Sequence, residues 1–319
     1  MLLFLVASSY RNMTEAAEGR RGSFLVLGDW GWDPKVNGNV GSRCQRLIAE
    51  KMDQTMRELG DVKFIINVGD SFYPAGVRSR DDSQWNSKWR GVYSSQLRSV
   101  PWYSVYGNHD YYVDPCSCSS DDKACAQVNG DHANRDRFYM PAASWNLALP
   151  ELDAEVVALD FNHFWSKETC VHSKCKGACP GILSGRFNRA VELFNRRVAE
   201  STARTLLIFS HYPTDYLGSH PDILAKLRDN TRHHIEYFGG HRHNVDQRST
   251  RSISPNNNWL VGGGGGWSCD GQEQGFVVGE LLPEGRVVTR AVLIKYDACC
   301  RRRERSTRCN ATGTRSDEF

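Results

Sequence analysis

The sequence predicts an α/β fold whose sheet contains parallel strands. Two observations carry this. Between Ser23 and Tyr106, short apolar runs alternate with longer stretches in the order strand, helix, strand, helix, strand. Several runs also stop abruptly at a glycine followed by a polar side chain, as strands do at the rim of a sheet.

Ser23 to Leu27 is an apolar strand ending at Gly28-Asp29-Trp30-Gly31. Residues 41–59 set Cys44, Leu47, Ile48, Met52, Met56 and Leu59 at helical spacing and stop before Gly60. Val62 to Val68 is the second strand, ending at Gly69-Asp70-Ser71-Phe72-Tyr73-Pro74. Residues 81–98 are predicted helical and lead into a strand from Pro101 to Tyr106, followed by Gly107-Asn108-His109-Asp110-Tyr111. Residues 113–137, with three cysteines, several aspartates and little apolar content, read as a surface insertion. Glu155 to Phe161 returns to strand character. A cysteine-bearing loop over 162–182 follows, then a helix with Phe187, Ala190, Val191, Phe194 and Val198 on one face. Thr205 to Phe209 is a strand ending at Ser210-His211-Tyr212-Pro213. A helix over 220–230 precedes Ile235 to Phe238, which ends at Gly239-Gly240-His241-Arg242-His243. Trp259 to Val261, Phe276 to Leu282 and Arg286 to Ile294 read as strands, the last two as a hairpin over Pro283-Glu284-Gly285. Gly262 to Gly266 is no phosphate loop, because neither Lys-Ser/Thr nor a helix follows; it reads as a crowded strand end beside a site.

The 319 residues, 40% apolar and 24% charged, suit one globular domain over 23–296, with a leader over 1–22 and a basic, cysteine-containing tail over 297–319. A net charge of +3 is too small to imply nucleic acid as a partner. No stretch is long enough to span a bilayer, and oligomeric state is not readable. The apolar start, Met1 to Ser9, resembles a signal peptide, and Asn12 and Asn310 sit in glycosylation acceptors. Ser316-Asp317-Glu318-Phe319 resembles a lumenal retrieval signal with Phe in place of Leu. These features point to a secreted or lumenal protein of the secretory or lysosomal pathway. Eleven cysteines admit two readings: a zinc site at Cys170, His172, Cys175 and Cys179, or disulfides stapling loops in an oxidising compartment. Irregular spacing favours disulfides.

Five apolar runs end in ligand chemistry: Asp29; Asp70 with Tyr73; Asn108 with His109; His211; and His241 with His243. The carboxyl ends of parallel strands share one rim, so these side chains are able to converge. Two carboxylates, three imidazoles, an amide and a phenol are too many groups for one tetrahedral ion. They suit two metals bridged by a carboxylate. The nitrogen and oxygen donors, without thiolate, fit Fe, Zn or Mn, and the tyrosine favours ferric iron.

In that order, Gly28-Asp29-x-Gly31, Gly69-Asp70-x-x-Tyr73, Gly107-Asn108-His109-Asp110, His211-Tyr212-Pro213 and Gly240-His241-x-His243 resemble the purple acid phosphatases of the metallophosphoesterase superfamily, the small tartrate-resistant type above all. The resemblance implies a β-sandwich of two mixed sheets flanked by helices. It implies Fe(III) on Asp29, Tyr73 and His243, and a divalent Fe, Zn or Mn on Asn108, His211 and His241, with Asp70 bridging. It makes His109 a substrate-side acid and sets His220 where the family can place a further substrate-side histidine. Nothing requires Asp110 at the metals, so it reads as a support that orients a histidine. A surface or helix-capping role is the alternative for His220. Arg242 occupies a position where an acidic residue is common. The implied activity is hydrolysis of small phosphomonoesters in acid, by attack of a metal-bound hydroxide. Two rival readings are a non-catalytic anchor or scaffold on the same fold and a phosphodiesterase of the wider superfamily.

Overall fold

The computed structural model describes residues 19–33, 35, 42–113, 115, 126–128, 137–171, 173, 175–267 and 273–300, excepting the Cys300 side chain. Apolar runs without polar alternation belong in strands covered on both faces. In the first sheet, β1 (Gly22–Leu27), β2 (Val62–Asn67), β3 (Trp102–Ser104) and β4 (Phe138–Tyr139) run parallel. In the second, β5 (Trp145–Leu149) lies antiparallel to β6 (Ala154–Leu159), which runs parallel to β7 (Thr205–Ser210) and β8 (His234–Gly239). The edge strand β9 (Val245–Asp246) is antiparallel to β10 (Asn257–Val261), which runs parallel to β8. The chain then returns to the first sheet as the hairpin β11 (Gln274–Leu281) and β12 (Val287–Ile294), with β11 antiparallel to β1. The result is two mixed, six-stranded sheets flanked by helices, the sandwich implied by the resemblance.

The core fills the space between the sheets. Phe24 of β1 stacks on Phe64 of β2 at 5.2 Å and meets Phe238 of β8, in the other sheet, edge-on at 6.0 Å. Each fully buried phenyl contributes about 2–3 kcal/mol of hydrophobic stabilisation. Helix α1 (Arg43–Leu59) buries Cys44, Ile48, Met52 and Met56, one residue per turn, and ends at Gly60 in the left-handed conformation. The other helices are α2 (Asn108–Tyr111), α3 (Ser166–Val171), α4 (Cys179–Glu200), α5 (Pro221–Arg228) and α6 (Tyr296–Cys300). A second apolar cluster joins Phe187 and Phe194 of α4 to Ile208 and Ile235 of the second sheet.

Four expectations change. Residues 81–98 form no long helix: one wide turn spans Trp85–Arg90, Gly91 closes it onto the Asn86 carbonyl (2.8 Å), and a short 3-10 turn follows at Leu97–Ser99. Trp89 instead packs into an aromatic cluster with Trp30 (5.4 Å) and Trp102 (4.5 Å). Residues 162–182 are largely helical, through a 3-10 turn at Asn162–Trp165, α3 and the start of α4. The tail begins later than residue 297, because α6 is tied to α1 by the Cys44–Cys299 disulfide and Cys299 is buried. The strands β4, β5 and β9 were not foreseen.

Cys170 and Cys179 also form a disulfide, and Cys175 is disulfide-bonded, so these sulfurs are not zinc ligands. Residues 1–18 of the leader, Asn12 among them, with Cys116, Cys118, Cys125, His172, Cys269, Asn310 and the chain after Cys300, lie outside the described residues.

Candidate metal centre

The parallel strands deliver the ligand-type residues to one rim, and the backbone bends sharply to aim them. Asp29, Asp70 and His241 follow β1, β2 and β8 in the left-handed conformation, with φ of 56°, 48° and 71°. Only five described non-glycine residues have positive φ, so three of them at one site mark strain held for a purpose. Backbone hydrogen bonds hold the turns: Asp29 N–H donates to Gly69 O (2.9 Å) and Trp30 N–H to Asp70 O (3.2 Å). The His241 N–H donates to the Asp29 carboxylate at 3.2 Å. Gly266, the last of the five glycines, lies so close to Tyr73 that a Cβ there would strike its ring. The reading of a crowded strand end beside a site therefore holds.

The seven predicted ligands come together as two groups sharing one atom. In the first, Tyr73 Oη lies 3.1 Å from Asp29 Oδ1, 3.0 Å from Asp70 Oδ2 and 3.2 Å from His243 Nε2. In the second, Asn108 Oδ1 lies 3.1 Å from His211 Nε2 and 2.9 Å from His241 Nδ1, and those nitrogens are 3.3 Å apart. Asp70 Oδ2 joins the second group as well, 3.3 Å from His211 Nε2. Donors bound to one ion at about 2.0–2.2 Å stand about 3 Å apart at right angles, so both groups have the spacing of a coordination shell. Asp29, Asp70 and His211 alone already offer a possible cation site.

The electrostatics favour a cation. Asp29 and Asp70 are fully buried, and among the described residues their ion-pair partners are imidazoles rather than Lys or Arg. Burial pushes Asp29 up to about 7 and, with both carboxylates, holds the Tyr73 phenol well above its usual range. Burial also presses His241 down to about 3, the neutral state a metal requires. At His211 burial acts downward, but Asp70 and Asp29 outweigh it and raise the imidazole to about 9. At Asp70 burial acts upward, yet His211 and His109 hold the carboxyl well below the usual range. A cation would replace the His211 proton and draw Asp29 and Tyr73 into their anionic forms, so the donor set fits a metal pair.

The other predicted residues divide. His109 sits beside the ligands: its N–H donates to Asp70 Oδ1 (2.8 Å) and its Nδ1 lies 2.7 Å from the Pro74 carbonyl. Its ring packs on Tyr73 at 4.5 Å. His220 is not brought to the ligands; it precedes α5, and its ring packs on Phe187 (4.8 Å) and Phe164 (5.6 Å). Among the described residues Asp110 orients no histidine. Its carboxylate accepts the N–H groups of Ser71, Phe72 and Gly107 at 3.0–3.2 Å and Gln127 Nε2 at 3.0 Å. It therefore clamps the two loops that carry Asp70 and Asn108. Arg242 turns to Asp215 (3.1 Å) and the Ser249 carbonyl (2.9 Å).

Three neighbours were missed. Trp267 stacks on Tyr73 at 5.4 Å and approaches His109 at 4.7 Å and His243 at 5.3 Å. Trp165 packs on His241 at 4.7 Å. Buried Lys88 donates to the Tyr73 carbonyl. Trp267 ends the glycine run and was findable there; Lys88 lies in the segment read as a helix and carries no local signal.

Residues 22–245 match the calcineurin-like phosphoesterase family. The chain is 27% identical over 273 residues to purple acid phosphatase 3 of Arabidopsis thaliana, spanning 82% of this chain and 67% of the relative. It is 26% identical over 229 residues to tartrate-resistant acid phosphatase type 5 of Oryctolagus cuniculus, spanning 70% and 67%. Its fold is shared with GAP50, the anchor in the inner membrane complex of Plasmodium, at a TM-score of 0.61 and 20% identity, over 85% of this chain and 84% of that one. With 22–245 covering most of its length, and purple acid phosphatases among its relatives, the chain belongs to the calcineurin-like phosphoesterase family.

Proposed function

We propose that this protein is an acid phosphatase that hydrolyses phosphomonoesters at a binuclear centre. Asp29, Tyr73 and His243 hold Fe(III), Asn108, His211 and His241 hold a divalent Fe, Zn or Mn, and Asp70 bridges. The observation that carries this is Asp70 Oδ2, 3.0 Å from the Tyr73 hydroxyl in one group and 3.3 Å from His211 Nε2 in the other. When bound, such an ion pair supplies Lewis acidity that acidifies water and neutralises charge on phosphoryl oxygens.

The chain's own residues do the rest. The Pro74 carbonyl fixes the His109 ring through Nδ1, which leaves Nε2 to hold the proton given to the leaving oxygen. Burial lowers the His109 pKa, which makes the imidazolium a stronger acid. Trp267 and Trp165 pack on Tyr73 and His241 and hold those side chains in place. The disulfides support a secreted or lumenal location.

The test is turnover of a generic phosphomonoester at pH 5 by the wild type and by Asp70→Ala. Wild-type hydrolysis abolished in the variant is expected. Metal-loaded wild type that hydrolyses no phosphomonoester would sink the proposal.

A further inference from the structure

A cavity of about 450 Å³ opens between the edge strand β5 and helix α4, and none of the candidate ligands lines it. Buried Arg186, Trp145 and Leu193 line it together with exposed Arg189 and Arg196 and one carboxylate, Glu192. Residues 186, 189, 193 and 196 share one helical face, so α4 turns three guanidinium groups toward one hollow.

These charges are balanced unequally. Arg186 donates to the Tyr111 hydroxyl, which itself donates to Asp160 at 2.6 Å, so its charge is met inside the fold. Arg197 pairs with Glu155 at 2.6 Å. Among the described residues Arg189 and Arg196 have no carboxylate partner. Glu192 follows Arg189 by three positions and precedes Arg196 by four, a spacing that pairs on helices, yet it pairs with neither. Ser144 Oγ accepts the Asp160 N–H at 2.9 Å, which leaves its own O–H to donate into the cavity.

We propose that this cavity is a second anion site, apart from the metal centre, that binds a small oxyanion of the phosphate class. Guanidinium forks match the oxygens of a tetrahedral anion. The cavity's volume suits a small molecule rather than a polymer, and Trp145 and Leu193 give it an apolar wall. The site does not rest on the proposed catalysis. Its buried arginine touches Tyr111, the last residue of α2, whose first residue is Asn108.

The test is calorimetric titration of inorganic phosphate into the full chain. Metal-loaded wild type is expected to show two classes of site, and chelator-stripped protein to keep one of them. In Arg189→Ala/Arg196→Ala that class weakens at least tenfold, while phosphomonoester turnover at low phosphate is unchanged. Arg189→Lys/Arg196→Lys keeps part of the affinity. Chelator-stripped wild type that binds no phosphate overturns the proposal, as does phosphate binding equal in stripped wild type and the stripped double alanine variant. Because the stripped arm needs neither metal nor turnover, failure here is separable from failure of the phosphatase reading.

Discussion

Asp70 divides its work between its two oxygens. Oδ1 accepts the His109 N–H (2.8 Å), and Oδ2 belongs to both ligand groups. Asp70→Ala therefore removes the atom shared by the two groups, the proposed bridge, and releases the His109 N–H at once. Metal affinity, read by chelator competition, is expected to fall at least about a hundredfold, the upper end of what loss of a mere supporting hydrogen bond costs. Tyr73→Phe removes the phenolate but keeps the ring that packs on Trp267. The variant is expected to fold and to lose the visible charge-transfer band of an iron-loaded wild type; a band that survives would remove Tyr73 from the ferric ion. His211 sets the sign of the pH dependence. Its pKa is raised to about 9 in the metal-free protein, so at pH 7 and below an incoming ion must displace its proton. Apparent metal affinity should therefore fall as pH falls, with proton release visible as heat that depends on buffer ionisation enthalpy. At this scale the sequence was readable, because a ligand-type residue follows a glycine at four of the five strand ends, Asp29, Asp70, Asn108 and His241, and follows Ser210 at the fifth. Asp110 was misread, because a carboxylate that clamps backbone N–H groups looks the same in sequence as one that orients a histidine.

Among elements, the loops after β2 and β3 act as one unit because Asp110 holds Ser71, Phe72 and Gly107 together. Asp110→Ala leaves those buried donors unsatisfied and should cost about 3 kcal/mol in chemical denaturation, as removal of a charged acceptor does. Gly266→Ala places a methyl against Tyr73 and should lower metal affinity more than stability, read as chelator sensitivity against the unfolding midpoint. Strands such as β1 and β7 were legible because burial on both faces leaves an unbroken apolar run. The segment 81–98 was not. Trp85, Trp89, Tyr93 and Leu97, four residues apart and all buried, give a helical stripe, but the tryptophans answer to an aromatic cluster rather than to a continuous helix. Two-residue strands such as β4 and β9 exist only through their neighbours, Trp102↔Phe138 and Leu260↔Asp246.

Across the whole molecule, the centre is where two sheets meet. Asp29, Asp70 and Asn108 come from one, and His211 and His241 from the other. Ions bound there link the halves of the sandwich, so metal loading should stabilise the entire domain. At free ion about a hundred times Kd the gain is about 2.7 kcal/mol per site, visible as a raised Tm that chelation reverses. The closure of the first sheet was beyond local reading, since Gly22 pairs with Leu281 across nearly the full chain. The family resemblance supplied the second sheet, which periodicity alone did not. The most direct measurement of the central claim is metal analysis of the purified protein together with a pH–rate profile on a phosphomonoester. The account predicts two metals per chain, one of them iron with a visible band, and a rate maximum in acid. A colourless protein holding only zinc, or one metal-loaded and inert across the whole pH range, would contradict it.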